Sequence, residues 1–347
     1  MQPIIRALCA STLAVAASVS FAAAPMDGPQ SARTGWHPAI QSGYDLLAEE
    51  TAQLAEHASR YCAAPDEQLR AQLEQHWRDA FMAWQQVRFV DFGPVENNNL
   101  AWQFQFWPDP KNLVARKAAY LTKSDQPITA DLIEQSGVAV QGFPMLEYLL
   151  FDDALSSGEN ALPAPHSCAV LTTVTKHLAS NSKQLSADWQ SFKTPYLNTE
   201  AYQVSTLKSA MAALEILEER RLAKPMGLRG NGKRNSYITD AWRSGTSLLS
   251  VEATLRGLQQ HFLPEFLKLL EQKGELQLAK RIQRQFDAAL DNYPEADRPM
   301  TVLLSDDKAF RTLQGLYVDV SQLATLVNDQ AAVALGVVRG FNSSDGD

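Results

Sequence analysis

The sequence predicts an all-α fold, built as two antiparallel four-helix-bundle-like lobes packed side by side. Apolar residues recur at steps of three and four along nearly the whole chain. Short β-rich runs between hairpin turns are almost lacking. Gly- and Pro-rich stretches punctuate the periodic segments.

The elements follow in order. A first helix carries Tyr44, Leu46, Leu47 and Leu54. Pro65-Asp66 opens a second, with proline and an acid at its start. Its Leu69, Leu73, Trp77, Phe81, Trp84 and Val87 form a core stripe that stops at Phe92-Gly93-Pro94. The following loop holds three asparagines and Trp102, Phe104, Phe106 and Trp107, more aromatics than a solvated loop tolerates, so it is expected to pack or to line a cleft. Short helices are expected at Leu113–Leu121, Thr129–Gln135 and Met145–Phe151, and a long one from Cys168 to Phe192. Thr194-Pro195 reads as the boundary between lobes 30–195 and 196–347, each with four long helices. Beyond it lie Ala201–Leu222, a basic Gly/Pro-rich loop at Lys224–Asn235, then Ile238–Phe262, Glu265–Glu271, Leu276–Leu290 and Asp307–Val338.

Residues 1–24 have the pattern of a cleavable secretory signal peptide. Arg6 is their single charge, an apolar and small-residue run follows, and Ser20-Phe21-Ala22 offers small residues at the two positions a signal peptidase reads. The run is short for an uncleaved spanning helix. No transmembrane span is expected in the mature chain, and the cleavable signal peptide places it in the periplasm or outer envelope. Loss of Arg6 takes the formal charge from −8 to −9, which argues against nucleic-acid or anionic-membrane partners. The mature cysteines are Cys62 and Cys168. In an oxidising compartment two cysteines suggest one disulfide, two separate buried thiols being the alternative.

Standard catalytic motifs are missing: the chain has no HExxH, no GxSxG and no Cys-rich metal spacing. Gly227 to Lys233 resembles a phosphate loop until Arg234 stands where Ser or Thr must hold magnesium. Arg229, Lys233 and Arg234 leave that loop attractive to an anion. His76 with Asp79, and His261 with Glu265, are spaced for one helix face and could ligate a metal; a surface pair is the plainer account. Glu147 is the lone charge in the apolar block Gly142–Phe151 and needs a partner, for which Arg88, Arg243 or a metal is available. Trp242-Arg243-Ser244-Gly245 offers a guanidinium fork for a carboxylate. Trp107-Pro108-Asp109 and the oxygen-rich tail, Gly340 to Asp347, complete the candidate clusters.

Taken together, the Trp77–Trp84 helix with Gly93-Pro94, Trp107-Pro108-Asp109, Gly142–Phe151, Arg243-Ser244-Gly245, Gly340-Phe341-Asn342 and Asp345-Gly346-Asp347 resemble the imelysin-like family over nearly the whole mature chain. The resemblance implies an exported, all-helical protein with a cleft between two lobes and a link to iron acquisition. It also implies a GxHxxE hallmark with metal-binding capacity, the metal being iron or another divalent ion. Here Gly142 and Glu147 match the hallmark, but Pro144 takes the histidine's place. Glu147 is then the one hallmark metal ligand left. The leading reading is a protein that binds a small ligand or metal complex through Gly142, Pro144, Glu147, Arg243, Ser244, Trp107 and Asp109, working with an envelope iron-uptake partner. The alternatives are an imelysin-type metallopeptidase and an envelope interaction scaffold.

Overall fold

A computed structural model describes residues 31–291, 293 and 298–337, so the expected signal peptide, residues 1–24, and the tail from Gly340 lie outside the described residues. Within them the chain is all-helical, with no strand. Helix α1 (Ala32–Ala63) buries Trp36, Ile40, Tyr44, Leu47, Thr51, Leu54, Ala58 and Tyr61, an unbroken run of three- and four-residue steps. That stripe packs on α2 (Glu67–Val87) and on α7 (Pro165–Ser191). Asp66 starts α2 by accepting a hydrogen bond from the Leu69 amide, which satisfies one of the free donors of the first turn. The Cys62–Cys168 disulfide fastens the end of α1 to the first turn of α7. Arg33 donates to the carbonyls of Tyr196 and Leu197 and so anchors α8 (Lys193–Asn198) to the start of α1.

Between α2 and α7 the chain forms short helices, three of them where the sequence predicts them: α3 (Leu100–Phe104), α4 (Leu113–Lys123), α5 (Ala130–Gln135) and α6 (Phe143–Phe151). The cause is local. Gly93, Asn98, Asn99, Asn112 and Gly137 adopt left-handed backbone there. The proposed lobe boundary, Thr194-Pro195, sits inside α8, whose Tyr196 is fully buried, and one hydrophobic core continues across it.

Beyond α8, α9 (Ala201–Glu215) runs on into π-helical turns over Ile216–Ala223. The sequence reads helix from Ile238 to Phe262, but α10 (Ser247–Gly257) starts later and then widens into a π-turn, Leu258–Phe262. Residues 239–246 form an irregular turn in which Ala241 (φ 50°) and Gly245 (φ 74°) are left-handed. A non-glycine residue in that region costs roughly 1 kcal/mol and ends the helical repeat. Helix α10 crosses α2 closely: a Cβ on Gly257 would fall 2.0 Å from the Gln86 carbonyl oxygen, so only glycine fits. Helices α11 (Leu263–Gln272), α12 (Leu276–Asp291), α13 (Met300–Ser305), α14 (Asp307–Ala324, ending in a π-turn over Thr325–Ala331) and α15 (Ala332–Leu335) complete the described chain. Among the described residues no helix is long and apolar enough to cross a membrane.

The disulfide closes a loop of 106 residues in sequence separation, for which the chain-entropy model gives about 4–5 kcal/mol of stabilisation. The double variant Cys62→Ala/Cys168→Ala is expected to lose roughly 3–5 kcal/mol in urea denaturation. Thiol titration of unfolded, unreduced wild-type protein should find no free thiol.

Candidate functional site

A cavity of about 1270 Å³ opens between α2, the 102–115 segment, α6 and the irregular 237–243 stretch. Its walls include Trp77, Phe81, Trp102, Phe106, Trp107, Tyr148 and Trp242, with Glu147, Asp152, Asp240, Arg220, Lys224 and Arg243 as charged groups. Wide apolar walls with few convergent polar groups are the usual make-up of a small-molecule site. The aromatic loop therefore lines a cleft, as its composition predicts.

Of the seven sequence-predicted site residues, Trp107, Asp109, Pro144, Glu147 and Arg243 line this cavity, while Gly142 and Ser244 stand behind the wall. Gly142 is the N-cap of α6, and a Cβ there would lie 2.2 Å from the carbonyl oxygens of Gln103 and Phe104. The glycine thus lets the aromatic loop rest on the start of α6. Ser244 holds Glu147: its backbone N–H and its hydroxyl both donate to Oε1, at 2.8 and 3.0 Å.

Two expectations are corrected. First, neither Arg88 nor Arg243 pairs with Glu147. Arg243 gives its Nε to Asp152 and lies between the rings of Trp242 and Tyr148, 4.2 and 5.3 Å from their centroids. Arg88 donates to Gln105 and Gln85 instead. With neutral donors only, Glu147 is 4% exposed and its pKa is raised to about 7. Desolvation causes the rise and outweighs the Ser244 hydrogen bonds and the field of Arg243. Second, Asp109 is no free ligand. Its two oxygens accept from the amides of Leu113 and Val114 at 2.8 and 2.9 Å, which caps α4. Two of the three cations of the phosphate-loop look-alike are also engaged, Arg229 with Glu219 and Arg234 with Asp307. His261 is buried beside Gly43, and Glu265 pairs with Lys268.

A network that sequence reading missed lies at the inner end of the cleft. Arg221 and Asp240 form an ion pair at 3.0 Å with both side chains 1% exposed. Gln85 accepts from Arg221 at 2.6 Å, and Gln105 donates to Asp240 at 3.2 Å while accepting from Trp84, Gln85 and Arg88. Burial, and then the charge of Arg221, lower the pKa of Arg88. In sequence, Arg221 hides in Glu218-Glu219-Arg220-Arg221, which reads as a solvated charge cluster. The one available signal for Asp240 was its place three residues before Arg243.

The metal implied by the GxHxxE resemblance does not fit this cleft. Proline carries no donor at position 144, and among the described residues no three His, Cys, Asp or Glu groups converge on Glu147.

Fold and cleft together define an all-helical protein with a large aromatic-walled cavity set over a buried ionic network. The chain belongs to the imelysin family, whose model matches residues 40–327. Two solved structures share the fold. An imelysin-like protein from Psychrobacter arcticum 273-4 superposes with a TM-score of 0.77 at 23% identity, covering 90% of this chain and 98% of that one. A putative iron-regulated protein A precursor from Parabacteroides distasonis ATCC 8503 gives 0.61 at 14% identity, covering 88% and 97%. No curated protein is a significant match.

Two outcomes are expected. Asp240→Asn leaves two buried guanidinium groups without their shared anion and should cost roughly 3–5 kcal/mol in urea denaturation. Glu147 keeps its proton in the folded state up to about pH 7 but loses it near 4.5 when unfolded. Its contribution to stability is therefore full below pH 4.5 and falls across that window, by roughly 3 kcal/mol in all. Comparing denaturation of wild type and Glu147→Gln at pH 4.5 and 8 should show wild type losing more stability by about that amount.

Proposed function

We propose that this is an exported, periplasmic binding protein that holds a small ligand or metal complex in the cleft, as a component of iron acquisition. The observation that carries this reading is the composition of the cavity. Four tryptophans, Trp77, Trp102, Trp107 and Trp242, face a volume that also presents a buried acid, Glu147, and a guanidinium, Arg243, stacked on Trp242. Flat apolar faces with both signs of charge suit a compact, partly planar ligand with polar edges.

Export is supported by the signal-peptide pattern of residues 1–24 and by the disulfide, a bond that persists in oxidising compartments. The iron connection is supported by the likeness to the iron-regulated precursor. The reading keeps lobes 30–195 and 196–347 as the two sides of the cleft, since the lining residues run from Trp77 to Ala154 and from Arg220 to Arg243. It also keeps an envelope iron-uptake partner. The metallopeptidase reading draws on the family's name but needs about three protein ligands and a water around a zinc ion, and the cleft's donor set does not supply them. An interaction scaffold would leave the cavity without a purpose.

Native mass spectrometry of protein purified from the periplasm should show a bound small molecule or complex, with Trp fluorescence that changes when it is removed. Arg243→Ala should lower its occupancy at least ~10-fold, the effect of losing one well-placed charged contact. Incubation with insulin chains and added zinc or iron should give no chelator-sensitive cleavage. Cleavage that disappears in Glu147→Gln would replace this reading with the peptidase.

A further inference from the structure

The α1–α2 pair has a second group of chemically active side chains that plays no part in the cleft. Glu50 of α1 meets His76 and Asp79 of α2, with one potential ligand atom of each within 4.8 Å of the others. His76 and Asp79 lie one residue before and two after Trp77, so they are turned about 100–160° around the helix from the side chain that faces the cavity. None of the three lines the cavity. The sequence spacing of His76 and Asp79 indicates a shared face; the packing of α1 against α2 supplies the third group.

The charge balance here is poor. Two carboxylates come together, and among the described residues neither makes an ion pair with Lys or Arg. The pKa of Glu50 is raised, first by burial and then by the negative charges of Asp79 and Glu49, while His76 acts in the opposite direction. One turn pair further along α1, His57 places its ring 3.8 Å from that of His76. Both imidazoles have a buried Nδ1 with no hydrogen-bond partner. Burial, and then His76 and Arg60, lower the pKa of His57, while Glu56 acts in the opposite direction. Gln75 donates to Asp79 Oδ1 at 2.8 Å and orients that carboxylate. The arrangement thus combines an excess of negative charge, an imidazole whose buried Nδ1 has no hydrogen-bond partner, and a carboxylate held in place by a neighbour.

We propose that Glu50, His76 and Asp79 form a divalent transition-metal site, separate from the cleft, that clamps α1 to α2. One imidazole and two carboxylates suit zinc, cobalt, manganese or ferrous iron better than calcium or magnesium, which favour oxygen alone. A tetrahedral ion with bonds of ~2.0–2.1 Å holds its ligand atoms roughly 3.4 Å apart. Small rotations of these half-buried side chains reach that spacing. A bound ion offsets the repulsion between the two acids, and water fills its remaining coordination.

The test is titration of chelator-stripped full-length mature protein with Co(II) alone, followed by visible absorption and by calorimetry. One equivalent is expected to bind with ligand-field bands. His76→Ala and Asp79→Asn should each weaken it at least ~10-fold, with unchanged helical circular dichroism. Affinity should fall as the pH drops from 7.5 to about 5.5, because the ligands must shed protons to bind. Glu50→Gln should weaken binding yet raise the melting temperature of the metal-free protein, since it removes one of two repelling charges. Glu147→Gln should leave binding unchanged, which keeps this site distinct from the cleft. No Co(II) binding below 1 mM (~10⁻³ M, the weakest range of specific sites) would overturn the proposal. So would wild-type affinity in both His76→Ala and Asp79→Asn, or loss of binding in Glu147→Gln alone, which would move the ion into the cleft.

Discussion

The buried ion pair between Arg221 and Asp240 is the constraint around which the rest is arranged. Charges removed from water this completely lose several kcal/mol of hydration each, and attraction alone does not restore it. The structure supplies the remainder through neutral groups. Arg221 reaches the Gln85 amide, the Ser250 carbonyl and the Thr254 hydroxyl; Asp240 receives Gln105 and Ser250. These partners sit on α2, on the loop after α3, on the π-turns after α9, on the irregular 239–246 turn and on α10. No two adjacent elements could make the network alone. It fixes the inner end of the cleft because α2, the 102–115 segment and the 237–243 stretch each contribute a member to it.

Around this center the cleft's functional candidates differ in how tightly they are committed. Asp109 and Gly142 serve the backbone, one as the cap of α4 and the other as a contact for the aromatic loop. Arg243 is held by Asp152 and by two rings, but it remains on the wall. Glu147 is the least settled. Neutral donors hold one of its oxygens, and its proton is in balance near neutral pH. A group in that condition responds to a cation or donor brought in by a ligand, because any such contact shifts both its charge and its hydrogen bonding.

The fold was legible because helical periodicity is a local signal. The stripe of α2 and the cap at Asp66 can be read from a few neighbouring residues, and so can the cysteine pair once the compartment is inferred. What remained hidden depends on contacts distant in sequence. Residues 238–246 carry enough apolar residues to read as helix, yet the turn at Ala241 and Gly245 breaks it so that Asp240 and Ser244 face opposite partners. Arg221 looked solvated because three of its neighbours are charged. Glu147 was identified as an unusual acid, but the idea of a cationic partner failed: sequence shows which charges exist, not that Arg243 is already taken by Asp152. Glu50 carried no signal until α1 was laid against α2.

The π-turns at Ile216–Ala223 have one further consequence, for how the chain tolerates changes in length. A wide turn arises where one residue more than the α-repeat needs is accommodated inside a helix. Deleting a residue there would close the wide turn while the flanks stay near their present phase, but the residues inside the turn would change facing by up to about 100°. Arg221 is one of them and would swing away from Asp240. Length changes are thus excluded from the interior of this helix, while exposed loops such as residues 156–159 can absorb them. Variation in the length of this chain should collect in those loops, away from the cleft.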